Sequence, residues 1–493
     1  MMLRAFRRLL KMIDLQPSHH SAQGRKYAAR GRRRRRVQAG VEPMESRVTL
    51  SGSPLVAPGL AITNPGHGDQ VTLGATNHDR QDLHGASAAK IPKGIGAANA
   101  IAKGRQSVQR DWFSRHMSDP RLQTLARTDF MRDGRLTYGD VLALFDLAES
   151  EGSLKTATLR SLSALATTGG AAAVNMASSV ENLTYKIVDG DPANAQFSRA
   201  SSRKLKVGSS AELLSELVNK WFLGGDNPTI DTQFLPGSSV GYAPANGTLF
   251  GPGGPSYKDV YQGSEGDCWL LASFAETAAL DPATIESMFT DDGTAIENGI
   301  AVHVWTVRFY QKGAASYVTV DNQLPAQNGE FVYANHSQSI NSASNVLWVP
   351  LLEKAYAQLS QSGWNAQSPG NAYASLDGGF ARTSLPVITG RPESASSPLE
   401  SASALMSAIN AGTLLTLATA STDGGSGSNA AGILGDHDYA VIGYDASNQT
   451  FTLMNPWGWN NTHAPGMLNL TWDQIQANFY LDGDCVPTAA VTT

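Results

Sequence analysis

Several stretches of the chain carry a readable pattern of apolar and polar positions. In DVLALFDLAES, Val141, Leu144, Phe145 and Ala148 recur at helical spacing, so a helix is predicted that buries them along one face. Leu213, Leu214, Leu217, Val218 and Trp221 repeat that spacing, and Gly224 suits the helix stop. Beginning at Cys268, the run CWLLASFAETAALD gives a broad stripe of Leu270, Leu271, Phe274, Ala278 and Leu280, with Pro282 just beyond it. IAVHVWTVRFY, at 300–310, alternates with period two and reads as a strand. HDYAVIGYD and TFTLMNPWG flank the short polar turn DASNQ and read as the two strands of a hairpin. Residues 52–107 are rich in Gly, Ala, Pro, Asn and His without sustained periodicity, which is linker composition.

Composition narrows this picture. The 493 residues suffice for roughly three folded units. Two cysteines cannot make a disulfide framework. No run of about 18 apolar residues is present, so no transmembrane segment is expected. The net charge of −5 conceals an asymmetry: residues 1–48 hold 13 Lys/Arg against 3 Asp/Glu, so the remainder is strongly acidic. Arg32 to Arg36 form an unbroken cationic run, expected to be disordered. No folded nucleic-acid module follows it, so no nucleic-acid partner is expected. The head has no clean apolar core of the ordinary secretory kind. Its stretch VEPMESRVTLSG, through Glu42, Pro43, Arg47, Leu50 and Ser51, resembles a short amino-terminal motif of exported planctomycete proteins. That resemblance favours an exported or cell-surface location, with the cytoplasm as the alternative.

Ahead of the first helix lies DFMRDGRLTYGD, similar to an EF-hand calcium loop. Such a loop needs oxygen ligands at positions 1, 3, 5 and 12 and glycine at 6. Asp129, Asp133, Gly134 and Asp140 match positions 1, 5, 6 and 12, while Met131 stands where an oxygen is required. Asp129, Asp133 and Asp140 are therefore degenerate calcium candidates, and a helical hairpin with Asp/Gly turns is the plainer expectation.

Cys268 is the stronger chemical candidate. Asp267 is a good N-cap type, which puts Cys268 in the first helical turn, where unpaired amides and the helix dipole favour a thiolate. A nucleophilic cysteine needs a base, and the base needs an orienting group. Of ten histidines, His303 lies in the alternating strand, His463 in a turn, and seven others in the head, the linker, the early helical region or loops. His437 heads one hairpin strand, and Asn455 ends the other, so the hairpin brings imidazole and amide together.

QGSEGDCWLLAS, HDYAVIGYD, NPWGW, YVTVDNQLP (317–325) and LWVPLLEKAYAQL (347–359) together resemble the calpain family of papain-like cysteine peptidases, in family order over about 250–480. Only the catalytic core is recognisable, in a chain of bacterial type. The resemblance implies Cys268 as nucleophile, His437 as general base and Asn455 as its orienter. It also implies Gln262 as the side-chain oxyanion donor and Trp457 as the indole that shields the His–Asn bond. The implied fold is α+β and two-lobed, a helical lobe with the cysteine and a β lobe with the histidine and asparagine. The organisation read along the chain is a basic head at 1–51, a linker at 52–107, a small helical region at 108–190, and a protease domain at 191–493 with its core at about 240–482.

The expected activity is calpain-type endoproteolysis of proteins or peptides through a thioester. The alternatives are a transglutaminase-like acyl transferase, against which Asn455 argues, and a catalytically inactive scaffold or surface protein. No cofactor is needed for the chemistry, and calcium is the candidate activator. Asp436 and Asp438 flank the histidine where the family often has Gly and Ala, and two such carboxylates are expected to favour imidazolium. Cys485, followed by Val-Pro and without a nearby base, is expected to be structural and unpaired with Cys268.

Overall fold

The computed structural model describes residues 112–487 apart from 198–203, 234, 236–238, 298, 364–369, 396 and 421–431. The head at 1–51, with its export-motif residues, and the linker at 52–107 lie outside the described residues.

Helix α1 (Pro120–Asp133) starts where the Asp119 carboxylate accepts from the Arg121 and Leu122 amides and ends at Gly134, whose φ of 71° a side-chain-bearing residue would rarely adopt. Helix α2 (Tyr138–Glu149) opens on a reciprocal Thr137–Asp140 capping box. It buries Val141, Leu144, Phe145 and Ala148, the face read from the sequence. Helices α3 (Thr156–Leu165), α4 (Thr168–Ala173) and α5 (Ser178–Val188) follow. Helix α6 (Ala211–Val218) buries Leu214, Leu217 and Val218, runs into a π-turn at Asn219–Leu223 and stops at Gly224 with φ 78°.

The calcium-loop candidates sit in a different structure. Asp129 and Asp133 belong to the last turn of α1, and Asp140 to the first turn of α2. The Arg132 guanidinium lies among them, 2.9 Å from Asp129, 2.9 Å from Asp133 and 2.8 Å from Asp140. A calcium loop wraps its carboxylates round the ion, whereas here the backbone is helical and a fixed guanidinium already supplies the cation. These residues do not fit calcium in this geometry.

The strands form three sheets. β1 (Val240–Pro244), β5 (Gln323–Gln327) and β6 (Glu330–Phe331) make one, and β2 (Phe289–Glu297), β3 (Ile300–Gln311) and β4 (Ala314–Asp321) a second. The third has the order β10-β9-β8-β7-β11, antiparallel throughout. It comprises β7 (Leu414–Thr419), β8 (Asp438–Asp445), β9 (Thr450–Met454), β10 (Met467–Leu470) and β11 (Phe479–Cys485). β8 and β9 are the hairpin expected from the sequence, pairing Ala440 with Met454 and Asp445 with Thr450.

One apolar core runs from Leu122, Phe145, Leu183 and Trp221 of the helical region into Trp269, Phe274, Trp348 and Tyr356. Those four come from α7 (Cys268–Leu280) and α9 (Trp348–Leu359); α8 (Pro282–Met288) and α10 (Ala381–Thr389) pack beside α7. Helix α7 lies on β7 and β8 of the five-stranded sheet. A second apolar cluster joins Leu405 of α11 (Ala402–Asn410) and Ile475 of α12 (Trp472–Asn478) to Leu417, Tyr439, Val441 and Leu453. The result is α+β with two lobes, one built round α7 and α9 and the other on the five-stranded sheet. Among the described residues no helix is long and apolar enough to cross a membrane.

Two buried lysines tie elements together inside the apolar core. Lys354 of α9 donates to the Asp321 carboxylate at 2.7 Å and to the carbonyls of Asp321 and Gln323 at 3.2 and 2.9 Å. Lys186 of α5 donates to the Tyr317 carbonyl at 2.6 Å and the Ser316 hydroxyl at 3.1 Å on β4, over the ring of Trp221.

Candidate active site

Cys268 is the first residue of α7. Every side chain from Cys268 to Ala278 is buried, so the helix is a central strut that holds its first turn in place. Asp267 occupies the N-cap without making a side-chain cap, and its carboxyl is fully buried beside Glu353 and Gln262.

His437 immediately precedes β8. Its amide donates to the Thr419 hydroxyl at 3.1 Å, and Thr419 returns a backbone bond to the His437 carbonyl at 3.0 Å. Asp436 before it has φ 51°, the left-handed turn that swings the chain into the strand and that Asp tolerates better than most residues. Asn455 follows β9. The Trp457 amide donates to Asn455 Oδ1 at 2.9 Å, which fixes that atom as the oxygen. His437 Nε2 lies 2.9 Å from the same oxygen, so Nε2 carries the proton and Nδ1 is left free to act as a base. The Trp457 ring stands 5.2 Å from the imidazole, edge-on, and Tyr439 packs at 5.1 Å on another side.

Gln262 is buried, and its backbone amide donates to the Pro456 carbonyl at 2.8 Å. That bond ties the loop before Cys268 to the loop after Asn455. The Gln262 side-chain amide donates one proton to the Glu265 carbonyl at 2.9 Å. An amide nitrogen has two, and the Gln262 side chain also bears on the buried Asp267 carboxyl.

Two expectations about ionisation reverse. Burial pushes His437 down to about 4, with the Asn455 bond opposing, so the imidazole rests neutral. The flanking carboxylates do not act on it, and Asp438 is turned to the start of α7. There Asp438 Oδ2 accepts from Cys268 Sγ at 3.7 Å. Burial foremost pushes the Cys268 thiol up, outweighing the backbone N–H groups of Asp438 and Trp269 that favour the thiolate. Cys268 and His437 therefore each rest neutral, and among the described residues no hydrogen bond joins them.

Asp438 was read only as a flank to the histidine. The alternation in HDYAV is the signal that could have placed it inward. Asp482 on β11, which accepts from the Ala381 amide, has no sequence signal at all, since its role depends on β11 lying beside β7. Cys485 is buried with Ala381, Leu385 and Leu414, its sulfur 3.5 Å from the Arg391 carbonyl, and both cysteines are free.

The buried carboxyls give the fold an acid-side stability. Burial first raises Asp267 to about 7, Glu297 to about 7 and Asp292 to about 6. Groups raised in the folded state hold protons that the unfolded chain releases near pH 4, so stability is lost as pH climbs from about 4 towards 7. His437 works the other way, losing stability as pH falls from 6.5 to about 4. Three carboxyls outweigh one imidazole. The expected result is a thermal midpoint lower at pH 7.5 than at pH 5; a midpoint that rises over this interval would contradict the burial of these groups.

A cysteine at a helix start in one lobe and a buried His–Asn pair on a hairpin in the other define the cysteine-protease class of fold. Residues 243–478 match the family described as calpain family cysteine protease, and the chain carries a calpain-family catalytic core. It is 31% identical over 212 residues to human calpain-12, covering 41% of this chain and 27% of that protein. It is 36% identical over 137 residues to the Caenorhabditis elegans calpain clp-1, covering 28% and 15%. Against the calpain-1 catalytic subunit of Sus scrofa it is 31% identical over 166 residues, covering 33% and 21%. The chain thus spans about a quarter or less of the length of these relatives.

Proposed function

We propose that the chain is a calpain-type cysteine endopeptidase that hydrolyses peptide bonds in proteins through Cys268, His437 and Asn455. The observation that supports this most is the 2.9 Å bond from His437 Nε2 to an Asn455 oxygen whose identity the Trp457 amide fixes. It leaves Nδ1 as a neutral base. In the reaction, His437 Nδ1 takes the thiol proton and the Cys268 sulfur attacks the peptide carbonyl carbon. The negative oxygen is stabilised by a Gln262 side-chain N–H and the Cys268 backbone N–H, each such donor contributing about 3–4 kcal/mol. The imidazolium returns its proton to the leaving amine as the C–N bond breaks, leaving a thioester. Water, deprotonated by His437, then releases the acid and restores the thiol. Trp457 covers the His437–Asn455 bond and keeps water from competing for it.

Calcium enters this proposal as an activator through the family alone. Among the described residues no group of three or more His, Cys, Asp or Glu is placed to hold a metal ion.

The test is cleavage of casein by the purified full chain, with calcium and with chelator, beside Cys268→Ala. The wild type is expected to cut and the variant to leave casein intact. Equal cleavage by both refutes the assignment, and cleavage unaffected by chelator removes the calcium clause.

A further inference from the structure

A second dyad stands behind the nucleophile. Cys268 Sγ donates to Asp438 Oδ2 at 3.7 Å, and among the described residues no hydrogen bond joins the sulfur to His437. The Asp438 carboxyl is completely buried, and the equally buried Asp482 of β11 faces it. Apart from the sulfur, the groups that bear on this pair are few. From α10, Asp482 receives the Ala381 amide and the charge of Arg382. From β11, Tyr480 looks onto both carboxyls, and Tyr439 on the strand of Asp438 and the half-buried Asp436 in the turn before it lie near. Asp267 approaches the sulfur from the start of α7.

Two carboxyls facing each other in a dry site cannot both be charged, so they share a proton. The Ala381 N–H and Arg382 favour the charge on Asp482. The proton therefore belongs on Asp438, whose remaining oxygen is the acceptor of the thiol. Burial and Asp482 together raise Asp438 well above the usual carboxylate range, in the same sense. Each remaining oxygen of the pair is buried without a conventional donor, as a carboxyl-to-carboxyl bond requires.

We propose that Asp438 is a positioning residue for the nucleophile, a carboxylic acid kept neutral by Asp482 so that the Cys268 sulfur has a hydrogen-bond partner without an adjacent negative charge. This rests on the peptidase reading for its purpose, though not for its test. With Asp438 neutral, the thiolate left once His437 has taken the thiol proton meets no charge on its nearest carboxyl. With Asp438 ionised, the thiolate would form against a charge at van der Waals contact. Asp482 is then the residue that decides which of these the nucleophile meets.

The experiment is the pH dependence of Cys268 alkylation by iodoacetamide in the full chain, followed by peptide mass so that Cys485 is counted separately. Asp482→Asn keeps an acceptor for Ala381 and gives Asp438 a fixed donor, so Asp438 ionises. Its alkylation midpoint is expected to rise by about one pH unit or more, about a tenfold slower reaction at pH 7. Asp438→Asn, neutral and isosteric, is expected to stay within about 0.3 unit of wild type, where thiolate fraction tracks the midpoint directly. The double variant is expected to return to the Asp438→Asn value. Loosened packing would not produce a shift that a second substitution cancels. An unmoved midpoint in Asp482→Asn, or a rise that persists in the double variant, overturns the proposal. Should either single variant lack a folding transition, the double variant compared with the surviving single decides by the same rule. Casein left uncut by wild type while these midpoints move as stated refutes the peptidase reading alone; casein cut with midpoints unmoved refutes the role of Asp438 alone.

Discussion

His437→Ala is expected to lower kcat on a peptide or casein substrate by about 10²- to 10⁴-fold, with KM little changed. The imidazole is held on three sides, by the Asn455 oxygen at 2.9 Å, the Tyr439 ring and the Trp457 ring. No other histidine among the described residues shares that setting: His303 pairs with Asp291 at 2.6 Å on the exposed side of β3, and His336 bonds Ser337 on a loop. Because the imidazole rests neutral and buried, its loss removes a base and leaves no unpaired charge. The variant should therefore melt close to wild type, which separates lost chemistry from lost fold. Retention of more than a tenth of wild-type kcat in a folded variant would exclude His437 as the base.

The second large effect falls on stability. Lys354→Met is expected to cost about 3–5 kcal/mol, read as a lower urea midpoint. Lys354 and Asp321 are both wholly buried, and the ammonium holds the Asp321 carboxylate and two carbonyls at the junction of β4 and β5. Removing the cation strands a carboxylate in an apolar interior, with the Glu297 carboxyl close by. Lys354→Met with Asp321→Leu should recover part of the loss, since no buried charge is then left alone. A single variant as stable as wild type would contradict this account of the ion pair.

Local chemistry was legible in the sequence wherever one element contained the whole signal. The apolar face of α2 needed only its own spacing, and the β8–β9 hairpin only its alternation and turn. Cys268, His437 and Asn455 stand where the sequence reading put them, Cys268 at the start of α7, His437 just before β8 and Asn455 just after β9. The pairing of Asp438 with Asp482 was not legible. It depends on β11 returning beside β7, where Phe479 pairs with Thr419 and Cys485 with Leu414, although β8, β9 and β10 come between them in the chain. The calcium-loop reading failed for a related reason. Its spacing counted oxygens, whereas Arg132, a residue the pattern ignores, took up the carboxylates and let the helix continue to Asp133. The ionisation of His437 was misread because formal charge along the chain says nothing of which face a side chain takes or how dry that face is.

Helix α5 has a consequence for the sheet it rests on. β4 is the outer strand of β2-β3-β4, so its free side carries amides and carbonyls with no neighbouring strand. The Asn182 side chain accepts from the Tyr317 amide at 3.2 Å, Lys186 donates to the Tyr317 carbonyl, and Ser178 meets the Tyr317 hydroxyl at 2.9 Å. An exposed strand edge is a template for pairing with a second chain. The helical region therefore serves as a guard against self-association: a core cut free of it would present an open, adhesive border where the intact protein presents a helix.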